Sequence, residues 1–330
     1  MVNNTIDRRL SIAPMMDHTD RHFRYFMRLL SKHAVLYTEM ITTGALIHGD
    51  RQRFLSFNDV EHPLAIQLGG SNPEDLAECA KISENEGYDE VNLNIGCPSD
   101  RVQNGQFGAC LMSNKNLVAD CVDKIQSIIS IPVTIKTRIG IDDLDSYDFL
   151  YDFINTTRAA GCNTFIIHAR KAILSGLSPK ENREIPPLNY ERVHKIKRDF
   201  PDLNITINGG FTELSEIKLQ LNHVDGVMVG RTAYQNPFML AEADNILFEN
   251  KNPAPLRASI LKSYRDYVDK QLLQGERIKN LSRHIIGLYQ GQPGARQYRQ
   301  LLSRATPKDK NNIQFLDDVI EAISYSNTEL

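Results

Sequence analysis

The chain of 330 residues has no tryptophan, and its five cysteines, Cys79, Cys97, Cys110, Cys121 and Cys162, include no Cys-x-x-Cys pair. An odd number of scattered thiols argues against a disulfide framework, and the missing paired spacing argues against a zinc or iron–sulfur centre, so no metal is expected. Long apolar runs are also lacking. None approaches the roughly 18 residues of a spanning helix, and the opening "MVNNTIDRRL" has no apolar core of a leader. A cytoplasmic protein with no membrane attachment and no stable protein partner is expected. With a net charge of −3 there is no global bias toward nucleic acid, so any such signal must be local.

What is present is an alternation. Short β-rich runs, "SIAPMM", "VLYTEM", "PLAIQLGG", "EVNLNIG", "VTIKTRIG", "TFIIHAR", "ITINGG" and "GVMVGR", are separated by segments of helical spacing between Ser11 and about Tyr234. One such segment, Asn72 to Gly87, starts with an Asn at the capping position, Pro73 at the first helical position and Glu74 and Asp75 in the first turn, and stops at a Gly. Eight strand–helix units predict an α/β fold, a closed (β/α)8 TIM barrel, with a doubly wound open sheet as the alternative. After Pro253 and Pro255 only helices are expected: Leu256–Gln274, shorter pieces through Arg304, then Ile313–Ser324. The chain thus divides into a barrel over 1–250 and an all-helical domain over 256–330.

Each strand stays apolar until its end and then delivers a small or reactive group. In order these are Pro14–Met16, Glu39, Gln67, Asn94 to Cys97, Lys136 with Arg138, His168 with Arg170, Asn208–Gly210, and Gly230–Arg231. A barrel gathers all eight strand ends on the face that carries active sites. The Gly pair at 209–210, with Gly230 and Arg231, falls where such barrels bind phosphate. Lys136 could form a Schiff base, but the carboxylate partner of a pyridoxal site is not evident. A cation stabilising the reduced, anionic form of a flavin is preferred, with Gln67, His168 and the backbone of Pro14, Met15 and Met16 completing its hydrogen bonding. Cys97 stands alone in a polar loop, while Cys79, Cys121 and Cys162 fall on helical patterns as small hydrophobes. An ordinary thiol is mostly protonated at neutral pH, so Cys97 suits a proton donor opposite a hydride donor better than a nucleophile lacking a His partner.

Charge shifts along the chain. From Leu256 onward there are 12 Lys and Arg against 8 Asp and Glu, and Arg277 to Lys308 carries Arg277, Lys279, Arg283, Arg296, Arg299, Arg304 and Lys308 without one acid. Such a one-sign strip, with Tyr289 and Tyr298 interleaved, suits a phosphate backbone.

The segments "APMMDHTDRHFRYF", "NLNIGCPSDRVQNGQFGACLM", "IKTRIGID", "IIHARKAILSGLSPKENREIPPLNY", "INGGF" and "VGRTAYQNP" together resemble the tRNA-dihydrouridine synthases. "GLSPKENREIPPL" points to their DusA branch. The resemblance spans nearly the whole chain. It implies an FMN-containing barrel with a helical tRNA-binding domain and NADPH-dependent reduction of uridine to 5,6-dihydrouridine in the D-loop of tRNA, at positions 20 and 20a. Carried over by position, it implies that Cys97 donates the proton to C5 after flavin hydride reaches C6. It places Pro14, Met15, Met16, Gln67, Lys136, His168, Asn208, Gly209, Gly210, Gly230 and Arg231 around FMN, and Asn94, Lys171, Arg296 and Arg299 against the tRNA. RNA is needed because a stacked uracil hides its C5=C6 bond, so the base must be drawn out into the barrel mouth. His18 and Ile173 stand where the branch usually has Trp. Two other readings stand beside this one: a flavin enzyme for small pyrimidines of the dihydroorotate dehydrogenase type, opposed by the acid-free helical strip, and a catalytically idle tRNA-binding protein, opposed by Cys97, Lys136 and His168.

Overall fold

The computed structural model describes residues 6–304 and 312–328. Eight parallel strands, β1 (Leu10–Ile12), β2 (Leu36–Thr42), β3 (Leu64–Gly69), β4 (Glu90–Ile95), β5 (Val133–Arg138), β6 (Thr164–His168), β7 (Asn204–Asn208) and β8 (Gly226–Val229), form one sheet in the order β1-β8-β7-β6-β5-β4-β3-β2. The ring closes where Ser11 bridges Val35, through Ile12 N–H to Val35 O at 2.9 Å and Val35 N–H to Leu10 O at 3.0 Å. The strands overlap the eight predicted runs, although β1 stops at Ile12 instead of reaching Met16, and the bridge from Ser11 to Val35 closes the ring where the alternative is an open sheet.

Strand β1 ends at Ile12, before Pro14, which has no N–H to continue a ladder. Strand β3 is buried along its whole length, as expected of a parallel strand covered on both faces. Inside, Ala13, Val35, Tyr37, Ala65, Ile166 and Met228 pack as one apolar cluster. Between β3 and β4 the helix Pro73–Glu86 begins as its sequence dictates: the Asn72 side chain accepts from Asp75 N–H. It ends on Gly87 at φ 97°, a left-handed turn that glycine enters without Cβ strain.

The described residues pack as two compact units. The first comprises the chain up to Asp17, Ala34–Phe211 and Ser215–Gly230, and so contains the barrel strands. The second comprises His18–His33, Thr212–Leu214 and the chain from Arg231 onward, so Pro253 and Pro255 lie within it. In the second unit the described elements are helical, among them Arg21–Leu30, Arg257–Leu273, Ile278–Ser282, Ala295–Ser303 and Gln314–Thr328. Helix Arg21–Leu30 lies against Arg257–Leu273: Tyr25 stacks on Tyr267 at 3.8 Å between ring centroids, and His22 Nδ1 lies 2.7 Å from the Tyr267 hydroxyl. Among the described residues no helix is long and apolar enough to cross a membrane.

Candidate active site at the strand ends

The side chains singled out on β3 to β7 converge within the first unit. Register places Asn94 opposite Lys136, Arg138 opposite His168, and His168 opposite Asn208. Gln67 and Asn94 are joined directly, Asn94 Nδ2 donating to Gln67 Oε1 at 2.8 Å. Asn94 Oδ1 in turn accepts from the backbone N–H of Cys97 at 3.0 Å, so the strand end and the thiol loop are held as one piece.

Cys97 is half-buried, its Sγ 3.4 Å from Ser99 Oγ. Its loop is braced from several sides. Ala109 N–H donates to Cys97 O at 2.9 Å, and Arg138 Nε donates to Gly96 O at 2.9 Å. Gln103 Nε2 bonds the carbonyls of Pro98 at 2.8 Å and Leu174 at 2.7 Å, tying this loop to the one after β6. At Gly108 a Cβ would meet the Cys97 carbonyl at 2.6 Å, and φ is +78°, so the chain can fold back on the cysteine only with glycine there.

Lys136 Nζ donates to Asn208 Oδ1 at 3.2 Å, and among the described residues it has no ion-pair partner. Burial, aided by the nearby Arg138 charge, pushes its pKa down to about 7. Burial likewise pulls His168 well below the usual imidazole value, with Arg138 and Lys136 adding to the shift, so its ring is neutral at neutral pH. Arg138 is pulled down to about 10, also by burial first, and stays cationic. Beside these groups Gly209 and Gly210 have φ of +126° and +84°. A Cβ on Gly209 would lie 2.8 Å from His168 Cδ2 and 2.9 Å from Leu188 Cδ2, so the backbone passes the imidazole as closely as a chain can. Pro14 and Met15 are half-buried just beyond β1, and Met16 is exposed. Gly230 closes the first unit after β8. Arg231 begins the helix Arg231–Gln235 in the second unit and is exposed.

Lys171 does not stand free: its Nζ lies 3.0 Å from Asp145 Oδ2 and 3.0 Å from Asp142 O. Its loop, which carries the "GLSPKENREIPPL" segment, is organised by the fully buried Asn182. That amide accepts from Ile173 N–H at 2.7 Å and donates back to Ile173 O at 2.8 Å. Arg138 Nη1 reaches Asn182 O at 2.9 Å. Arg138 and Asn182 are thus supporting residues that strand-end polarity only half revealed, since a buried brace and a ligand contact look alike in sequence.

In the second unit Arg277, Lys279, Arg296, Arg299 and Arg304 are exposed, while Lys308 lies outside the described residues. Two expectations for this strip need correction. Tyr298 is fully buried, its hydroxyl bonded to Ile285 O at 3.0 Å, and Tyr289 packs 4.8 Å from it, so neither ring is open to a nucleotide. On the helix Ala295–Ser303, Tyr298 shares the buried face with Ala295 and Leu302, at the three- and four-residue spacing of a core stripe. Arg283 is not a free charge either, because it pairs with Asp20 at 2.6 Å.

The family model described as dihydrouridine synthase matches residues 11–324. The chain is 58% identical over 312 residues to the tRNA-dihydrouridine(20/20a) synthase of Shewanella oneidensis, an overlap covering 94% of this chain and 93% of that one. It is 56% identical over 318 residues to the protein of that name in Vibrio cholerae, covering 96% and 97%, and 56% identical over 317 residues to that of Escherichia coli K12, covering 96% and 92%.

Proposed function

The chain belongs to the dihydrouridine synthase family, and from that premise we propose that it reduces uridine to 5,6-dihydrouridine in tRNA, at positions 20 and 20a, with FMN as bound cofactor and NADPH as reductant. The observation that carries the proposal is the joining of Cys97 through Asn94 to Gln67 on the same strand-end face as Lys136, His168 and Asn208.

The residues present suit FMN. Lys136, with its pKa pushed down to about 7 by burial and a neutral hydrogen-bond partner in Asn208, can take up a proton and offer its charge to an anionic ring or phosphate. Gly209 brings bare backbone alongside His168, and Gly210 does the same beside Leu188 and Tyr190, so this turn has backbone N–H groups without side chains to offer a phosphate. Pro14, Met15, Met16, Gln67, Gly230 and Arg231 complete the binding set in this reading. When bound, FMN supplies the hydride that uracil C6 receives, and NADPH restores it.

The rest falls to the chain. Asn94, with Lys171, holds the everted base and its strand, and Arg296 and Arg299 in the helical tRNA-binding domain hold the backbone. Cys97 Sγ–H gives its proton to C5 as negative charge develops there, and the resulting thiolate regains a proton from solvent after product leaves. The Asn94 bond to Cys97 N–H keeps the sulfur in place while the base is seated. The setting is cytoplasmic, where unmodified tRNA and NADPH are both at hand.

The test is to supply the FMN-loaded protein with NADPH and tRNA lacking dihydrouridine, then follow NADPH oxidation and analyse the nucleosides by mass spectrometry. Oxidation that depends on tRNA and yields dihydrouridine is expected. Equal oxidation with free uracil or uridine would favour a small-pyrimidine enzyme, and a flavin-free protein that binds tRNA without turnover would favour an idle binder.

A further inference from the structure

Glu90, Asn92 and Asn94 occupy alternate positions of β4 and therefore one face of it. Only Asn94 belongs to the site described above. Glu90, Asn92 and Thr134 are fully buried beneath it, and they are linked to it without a gap.

At the start of β4, Glu90 Oε2 is ion-paired with Arg8, and Oε1 accepts from the Tyr37 hydroxyl at 2.9 Å and from Thr134 Oγ1 at 2.5 Å. An ionised carboxylate only accepts hydrogen bonds, so it commits the single hydroxyl proton of Thr134. Thr134 Oγ1 can then act only as an acceptor toward Asn92 Nδ2, at 2.8 Å. That turns Asn92 Oδ1 toward Gln67, where it accepts from Nε2 at 2.7 Å. Gln67 Oε1 accepts from Asn94 Nδ2 at 2.8 Å, and Asn94 Oδ1 accepts from the backbone N–H groups of Gly96 at 3.1 Å and Cys97 at 3.0 Å. The far end enforces the same sense independently, because a backbone N–H only donates. Every link from Cys97 to Glu90 therefore donates in one direction.

We propose that Glu90, Thr134 and Asn92 are positioning residues whose relay, anchored on a carboxylate at one end and on the Gly96 and Cys97 N–H groups at the other, locks the donor and acceptor sense of the Gln67 and Asn94 amides and holds the Cys97 loop in register. The inference rests on the uridine-reducing function proposed above. It also narrows what the site can recognise. Both lone pairs of Asn94 Oδ1 are engaged by backbone, so the free atom it offers a ligand is one N–H, which selects a carbonyl oxygen and rejects a ring N–H or an amino group at that point.

The test compares Thr134→Val, which keeps the shape and removes the hydroxyl, with Thr134→Ser, which keeps the hydroxyl. In FMN-loaded protein without RNA, hydrogen exchange at the Gly96 and Cys97 amides should quicken about fivefold in Thr134→Val, the factor equal to one ordinary hydrogen bond of about 1 kcal/mol. With tRNA, kcat should fall by about the same factor while KM for tRNA stays put, and Thr134→Ser should restore both readings. Wild-type exchange and kcat in Thr134→Val, or equal changes in both variants, would overturn the relay. If Thr134→Val does not accumulate, Asn92→Leu is judged by the same two readings against the same criteria. Failure of the wild-type protein to make dihydrouridine would instead remove the functional reading, and the exchange measurement would still decide the relay.

Discussion

Asn208 stands between Lys136 and the β8 backbone: its Oδ1 accepts from Lys136 Nζ at 3.2 Å while its Nδ2 donates to Met228 O at 2.8 Å. The backbone carbonyl fixes the amide orientation, so the lysine always meets a neutral oxygen. That leaves a buried cation under-compensated, which is why its pKa sits near 7. An anionic ligand would raise it again, so binding takes up a proton. Above pH 7, where the FMN phosphate is already doubly charged, FMN affinity should fall as pH rises, by up to about tenfold per pH unit. Fluorescence titrations at pH 7, 8 and 9 should show this slope, and Lys136→Met should bind more weakly with the slope gone.

Replacing Cys97 by Ala should leave FMN and tRNA binding within about twofold and reduce dihydrouridine formation by at least ~100-fold, the range of a lost general acid. Full product yield from the variant, read by nucleoside mass spectrometry, would exclude the proton-donor role.

Gly209 has φ +126° and no room for a Cβ beside His168. Gly209→Ala should lower stability by about 1–3 kcal/mol, the cost of a strained backbone. It should also weaken FMN binding by displacing the imidazole. Thermal melts with and without FMN separate the two effects.

Asp20 caps the Arg21–Leu30 helix, accepting from the N–H groups of His22 and Phe23 at 3.0 Å each, and also pairs with Arg283 and His284. Burial works to raise its pKa, but the hydrogen bond and charge of His284 and the Phe23 N–H outweigh it and hold the carboxyl well below its usual 3.8. A depressed folded-state pKa contributes stability that is complete above the unfolded value and is lost as pH falls toward the folded one. Asp20→Asn should therefore melt earlier than wild type by a constant margin from pH 7 to about 5, with the gap closing below about pH 4.

Arg299 is exposed, with Nη1 bonded to Gln290 Oε1 at 2.9 Å. If it meets a phosphate, Arg299→Ala should weaken tRNA binding and lower the slope of log affinity against log salt by about one unit. An unchanged slope would remove it from the interface.

The barrel was legible because strands buried on both faces are written as apolar runs, and because caps such as Asn72 and Gly87 act locally. The convergence of the polar groups at the ends of β3 to β7 is legible for a related reason: the parallel topology brings those strand ends to one face. Glu90, Asn92 and Thr134 do not stand out as part of that face, although Glu-Val-Asn-Leu-Asn alternates polar and apolar and so marks one face of β4. Which polar atoms meet across β3, β4 and β5 depends on register, and register is a property of pairs of strands. The burial of Tyr298 is masked for the opposite reason, since the basic residues of its short helix obscure the core spacing of Ala295, Tyr298 and Leu302.

The ring of strands has a seam. Leu10–Ile12 is matched to β8 at three positions but meets its other neighbour through the single bridge from Ser11 to Val35. Pulled from the amino-terminal side, as by an optical tweezer, the molecule should yield there before anywhere else in the barrel. A released β1 would turn a cylinder into a sheet with two raw margins, open to a strand from a neighbouring molecule.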